Sequence, residues 1–128
     1  MFSHVTLGTN DFAAATAFYD AVFATLEIGR FYSREGYAGY GEPKGNQTWV
    51  MYPYDGKPAS VGNGSHIAFL APDRAAVRAF YEAALAHGGS DEGAPGLRPH
   101  YHRNYYACYV RDPDGNKLQA VCHNREAQ

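Results

Sequence analysis

Two Ser-His pairs, Ser3-His4 and Ser65-His66, each open an apolar, strand-like run. With a period of two, Val5 and Leu7 face one way and His4 and Thr6 the other; Ile67 and Phe69 oppose His66 and Ala68 in the same fashion. Near the end of the chain Leu118, Ala120 and Cys122 form an apolar set, which turns Gln119, Val121 and His123 to the opposite face. Imidazole nitrogens ligate divalent first-row metals, and an amide oxygen can join them. His4, His66 and Gln119 are therefore candidate ligands for a divalent ion such as Zn, Ni, Mn or Fe. The alternative for each histidine is a hydrogen-bonded structural role. The loop His100-Tyr101-His102 is a second source of chemistry, because His-x-His in extended chain puts both rings on one face, where they can bind metal or place a general base. Gln119, Tyr106 and His102 are the candidates for catalytic work. Thr6, Trp49, Met51, Ala68, Tyr105, Val121 and His123 are candidates for lining a binding groove, and Arg98 and Arg103 for meeting an anionic substrate.

The elements that must position these residues come as a repeat. Ser3–Ala24 lies over Ser65–Ala86 at a constant offset of 62, with ten of 22 positions identical. Such self-similarity marks a duplicated structural unit. In the first copy a strand over Phe2–Leu7 leads through Thr9-Asn10-Asp11, which offers capping side chains, into a helix ended by Gly29. In the second, a strand over His66–Leu70 leads through Pro72-Asp73 into a helix stopped by His87-Gly88-Gly89. The repeat resumes where Tyr37–Asn46 matches Tyr106–Asn116 with one insertion: each is a tyrosine-rich strand, a Pro-x-Gly-Asn turn and a returning strand, the pattern of a hairpin. The returning strands, Gln47–Tyr52 and Lys117–His123, make Trp49 the counterpart of Gln119. Asp55–Gly64 reads as a linker and Ser90–Asn104 as a long irregular loop. One domain over residues 1–128 is expected, with modules at about 1–55 and 64–123 joined by 56–63.

Bulk properties narrow the class. The 128 residues carry a net charge of −2 without a Lys/Arg cluster, which argues against a nucleic-acid or anionic membrane surface. No apolar run approaches the ~20 residues of a membrane span, and no signal-like segment opens the chain. Cys108 and Cys122 sit in strand-like runs and read as buried thiols of a cytoplasmic protein. Eleven tyrosines, concentrated in 37–54 and 101–109, suit pocket walls and interfaces.

Paired βαβββ modules, each opening with a strand histidine, together with Asp112-Pro113-Asp114-Gly115-Asn116, resemble the vicinal oxygen chelate superfamily: glyoxalase I, bleomycin-resistance proteins and extradiol dioxygenases. The resemblance implies an α+β fold of two tandem βαβββ modules forming a curved mixed sheet around a groove, with helices on the outer face. It implies metal ligands on the first and last strands of both modules, which here are His4, Trp49, His66 and Gln119. Gln119 stands where the family's usual glutamate would be, and Trp49 cannot ligate. The resemblance therefore implies either a glyoxalase-like, metal-dependent lyase, isomerase or dioxygenase acting on a small oxygenated substrate, or a non-catalytic protein that sequesters a small molecule. It also implies a homodimer.

Overall fold

The structure is a computed structural model, and it describes residues 1–126. The chain runs β1 (His4–Gly8), α1 (Phe12–Ala24), β2 (Arg30–Arg34), β3 (Tyr37–Gly41), β4 (Gln47–Met51), β5 (Ile67–Leu70), α2 (Arg74–Ala86), β6 (Ser90–Leu97), β7 (Tyr106–Arg111) and β8 (Lys117–Cys122). These are two βαβββ modules, each a four-stranded mixed sheet in the order β1-β4-β3-β2 or β5-β8-β7-β6. In each, the first strand runs parallel to the last. The expected architecture is present, with the two sheets remaining separate and open.

Local chemistry sets the helix starts. The Asp11 carboxylate accepts from Ala14 N–H at 3.0 Å and that of Asp73 from Ala76 N–H at 2.7 Å, which satisfies a donor that each helix start would leave unpaired. The first helix ends earlier than its glycine suggests. Thr25 caps it, its hydroxyl donating back to Val22 O, and Glu27 turns the chain at φ 59° ahead of Gly29. At the second helix Gly88, at φ 94°, makes the expected stop.

Two expectations are corrected by the strand pairing. Ser90–Leu97 is a strand, not loop; its register against β7 shifts twice, and its Gly-rich, acidic sequence lacks the apolar alternation that marks a strand. The two hairpins also need no insertion. The β3–β4 turn closes with Glu42 N–H on Asn46 O, and the β7–β8 turn closes with Asp112 N–H on Asn116 O. Gly39 lies opposite Trp49 and Tyr109 opposite Gln119, so the hairpins superpose at an offset of 70. The tyrosines that suggested another alignment are one residue out of step.

Both modules share one core. Phe18, Tyr19 and Phe23 of α1 and Val77, Phe80 and Ala84 of α2 are buried together with Val50, Val110 and Leu118 of the strands. Phe23 meets Phe69 edge-on at 5.0 Å, across the module boundary. Polar ties cross it too: Tyr19 Oη donates to Asp112 at 2.5 Å, Asn116 Nδ2 to Gly8 O at 3.0 Å, and Asn10 N–H to Asp114 at 2.8 Å. No described helix is long and apolar enough to cross a membrane.

Candidate functional site

The helices cover one face of each sheet and leave Thr6, Gly39, Trp49 and Met51 on the other face of module 1. Tyr109, Gln119 and Val121 occupy the corresponding face of module 2. The unpaired edges of β1 and β5 border a groove of about 630 Å3, and both His4 and His66 line it. The duplication thus brings both strand histidines to one cleft, while Trp49 and Gln119 stay outside its lining.

In module 1 the sheet face away from the helix is aromatic, and it lies outside that groove, whose lining contains Gln47 but not Trp49. Trp49 lies over Gly39, where an added Cβ would come within 2.9 Å of the indole and 3.0 Å of Phe31. Phe31, Tyr32 and Tyr37 ring Trp49 with centroids at 5.6, 5.8 and 6.3 Å. A bulge between Arg30 and Tyr32 explains how the consecutive residues Phe31 and Tyr32 both reach the indole. Neither was legible as a site residue, because strict alternation sends neighbours to opposite faces. Trp49 Nε1 donates to Gln47 Oε1 at 3.0 Å, which holds the indole flat across the sheet. The Arg34 guanidinium sits 4.5 Å from the centre of the Tyr37 ring.

In module 2 the chain covers its own sheet. Ala107, Gln119 and Val121 are at most 3 % exposed on the side away from the helices. What shields them is the strap from Arg98 to Tyr105. Gln119 Nε2 donates to Tyr105 Oη at 2.6 Å, and Gln119 Oε1 meets His66 Nε2 at 3.1 Å. The strap is fastened at its far side by His102 Nε2 and His123 Nδ1, 2.9 Å apart. Asn104 N–H donates to His102 Nδ1, so the proton between the rings belongs to His102 Nε2. Tyr105 stands edge-on to both rings. Burial, then the neighbouring Tyr105, pushes the Tyr109 phenol up to about 12, and burial pushes the Cys108 thiol up to about 11. Both groups are therefore neutral at ordinary pH, and Cys108 is no nucleophile.

The candidates divide accordingly. His66, Gln119 and Tyr105 are brought into one hydrogen-bonded chain, His102 and His123 into another, and Thr6, Trp49 and Met51 onto the open aromatic face. Ala68 and His4 reach the groove from its edge strands. Tyr106 does not reach it. It packs on the helix side, its hydroxyl accepting from Arg78 at 3.3 Å and its ring lying under Arg74, because β7 sends residue 106 and residue 109 to opposite faces.

Residues 1–120 match the Glyoxalase/Bleomycin resistance protein/Dioxygenase superfamily. The chain belongs to that superfamily. A glyoxalase/bleomycin resistance protein from Albidiferax ferrireducens T118 is 39% identical, with 95% of this chain and 98% of that one covered at a TM-score of 0.86. Lactoylglutathione lyase from Agrobacterium tumefaciens shares the fold at 20% identity, with 95% and 92% covered and a TM-score of 0.66. So does the fosfomycin resistance protein FosX from Listeria monocytogenes, at 20% identity, 95% and 92% coverage and a TM-score of 0.68. No curated protein matches the sequence.

Superfamily membership raises the question of a metal, and the donor set fits one poorly. Gln119 is neutral, its oxygen is engaged by His66 and its NH2 by Tyr105. The corresponding position in module 1 is Trp49, which has no lone pair to give. His4 Nδ1 pairs with its neighbour Ser3 Oγ at 2.9 Å. Among the described residues no three His, Cys, Asp or Glu side chains cluster as ligands.

Proposed function

We propose that the protein binds a small, flat, largely apolar molecule against Trp49 on the open face of module 1, as a sequestering or carrier protein rather than a metal-dependent catalyst. The observation that carries this reading is the indole held flat by Gln47, ringed by Phe31, Tyr32 and Tyr37 and left half-exposed on the uncovered face of module 1. Aromatic faces stack on flat ligands, and such pairs add about 0.5–1.5 kcal/mol beyond simple burial. Trp49 is the only tryptophan, so its emission reports on this site alone when tyrosine is not excited. Quenching of that emission by flat aromatic compounds is expected, with saturation. Trp49→Ala should lower affinity about tenfold or more in calorimetry. Equal affinity in the variant would refute the platform.

A metal-dependent lyase, isomerase or dioxygenase acting on a small oxygenated substrate is the competing reading. It draws on His4 and His66 lining one cleft, and requires Gln119 Oε1 to leave His66. Stoichiometric Zn, Ni, Mn or Fe in untagged protein, lost in His4→Ala/His66→Ala, would favour it over sequestration. The free edges of β1 and β5 support a homodimer, and two buried, unbridged thiols support a cytoplasmic location.

A further inference from the structure

Next to the strand that pairs with Trp49 lies a feature that a purely apolar ligand would leave unused. A cavity of about 270 Å3 opens between Thr6 of β1 and Ser65 and His66 ahead of β5, with Lys117 in its wall. Thr6 is the direct neighbour of Trp49 across the parallel β1–β4 pair, about 4.8 Å away on the same face. Thr6 thus belongs to the lining of the cavity and is the strand neighbour of Trp49 on the aromatic platform. Its walls offer the hydroxyls of Thr6, Ser60 and Ser65 and the Lys117 ammonium, and not one carboxylate, although the chain has more acidic than basic residues.

Lys117 is half-buried and pairs with no carboxylate among the described residues. Its ammonium lies 5.4 Å from the centre of the Tyr109 ring, and the Arg98 guanidinium lies 5.7 Å from the same ring. Arg98 is likewise half-buried, and its Nη2 donates to a backbone oxygen, that of Ala94. Their neighbour on this face, Arg111, is neutralised by Glu92. Contact with a neutral phenol holds the two remaining cations in place without cancelling their charge. Half-buried cations are ordinarily paired, so two unpaired ones around one ring leave a positive field over this end of the groove.

We propose that this cavity receives an anionic group, a carboxylate or a phosphate-type group, of the ligand whose flat body lies on Trp49. The site thus selects a conjugated or aromatic acid over its uncharged analogue. Lys117 makes the direct contact, the hydroxyls of Thr6 and Ser65 complete it, and Arg98 adds attraction from across Tyr109. This inference rests on the platform reading above for the ligand's body, but not for its charged group.

The test compares 1-naphthoate with its uncharged analogue 1-naphthamide by calorimetry, and follows inorganic phosphate alone by its effect on the Lys117 side-chain NMR signal. Naphthoate is expected to bind about tenfold more tightly, the scale of one hydrogen bond to a charged group. Lys117→Met should erase that preference and leave naphthamide affinity unchanged, whereas Lys44→Met, an exposed lysine elsewhere, should leave both alone. Equal binding of the two compounds to the wild type would overturn the anion site while leaving the aromatic platform standing. A preference that survives Lys117→Met/Arg98→Met would overturn it as well. If naphthamide fails to bind and phosphate still shifts Lys117, the platform falls and the anion site stands.

Discussion

The two modules carry the same fold and opposite solutions to the face their helices leave bare. In module 1 a large residue, Trp49, lies opposite a glycine, Gly39; in module 2 a smaller one, Gln119, lies opposite a large ring, Tyr109. The bulk changes strands across the pair, and the chemistry changes with it. Module 1 leaves its aromatic face uncovered, with Trp49 half-exposed. Module 2 covers its face with a strap and spends its polar groups on holding that strap. A duplicated scaffold can therefore diverge into an open aromatic platform and a covered polar support.

The largest test of this asymmetry lies in the turns, where Glu42 and Asp112 are equivalent. The buried Asp112 carboxylate accepts from Tyr19 Oη, from Asp114 and Asn116 N–H and from Asn116 Nδ2. Asp112→Ala leaves several buried donors unpaired and should cost about 3 kcal/mol in urea unfolding, whereas Glu42→Ala, on an exposed turn, should fall within about 0.5 kcal/mol. Similar losses at both sites would erase the asymmetry. Gly39→Val comes next. Its side chain would enter space held by the Trp49 and Phe31 rings, so a loss of about 1–3 kcal/mol is expected. A shift in Trp49 emission should accompany it; an unchanged spectrum at unchanged stability would mean that Gly39 is not what seats the indole.

Alkaline pH probes the shared core beneath both faces. Burial raises the Tyr19 and Tyr40 phenols, with Asp112 and Asp20 respectively adding to the shift. Their unfolded counterparts ionise near pH 10. Above that pH the folded chain retains protons that the unfolded chain releases, so stability, fully present below pH 10, should fall as pH rises toward the folded values. Tyr19→Phe should flatten this fall. A profile equally steep in the variant would remove Tyr19 from the account.

Much of this was legible in the residues, for local reasons. The offset of 62 fixed the strand–helix repeat, the Asx side chains fixed both helix starts, and strand alternation with the repeat placed His4, His66, Trp49 and Gln119 on the sides away from the helices. What escaped depended on partners far along the chain. The bulge that delivers both Phe31 and Tyr32 to Trp49 has no sequence mark. Ser90–Leu97 forms a strand only because β7 pairs with it. Tyr106 looked like part of the tyrosine cluster until the register separated it from Tyr109 by face. The strap over Gln119 exists because Tyr105 and His102 find Gln119 and His123, contacts that no periodicity encodes.

The smallest predicted effect isolates the strap. Tyr105→Phe removes only the hydroxyl that accepts from Gln119 Nε2, at a cost of about 1 kcal/mol. Most of that loss should appear locally, because the fastening by His102 and His123 and the shared helix core are untouched. Amide exchange should therefore quicken in Arg98–Tyr105 and at Gln119, while the exchange of α1 and of β4 around Trp49 stays as it was. Tryptic cleavage after Arg103 should rise in step, whereas the Arg98–Pro99 bond resists trypsin in either protein. If exchange quickens equally in β4, the two faces are one cooperative unit and module 2 does more than support a wall. If only the strap responds, the division between open platform and covered support operates in dynamics as well as in packing.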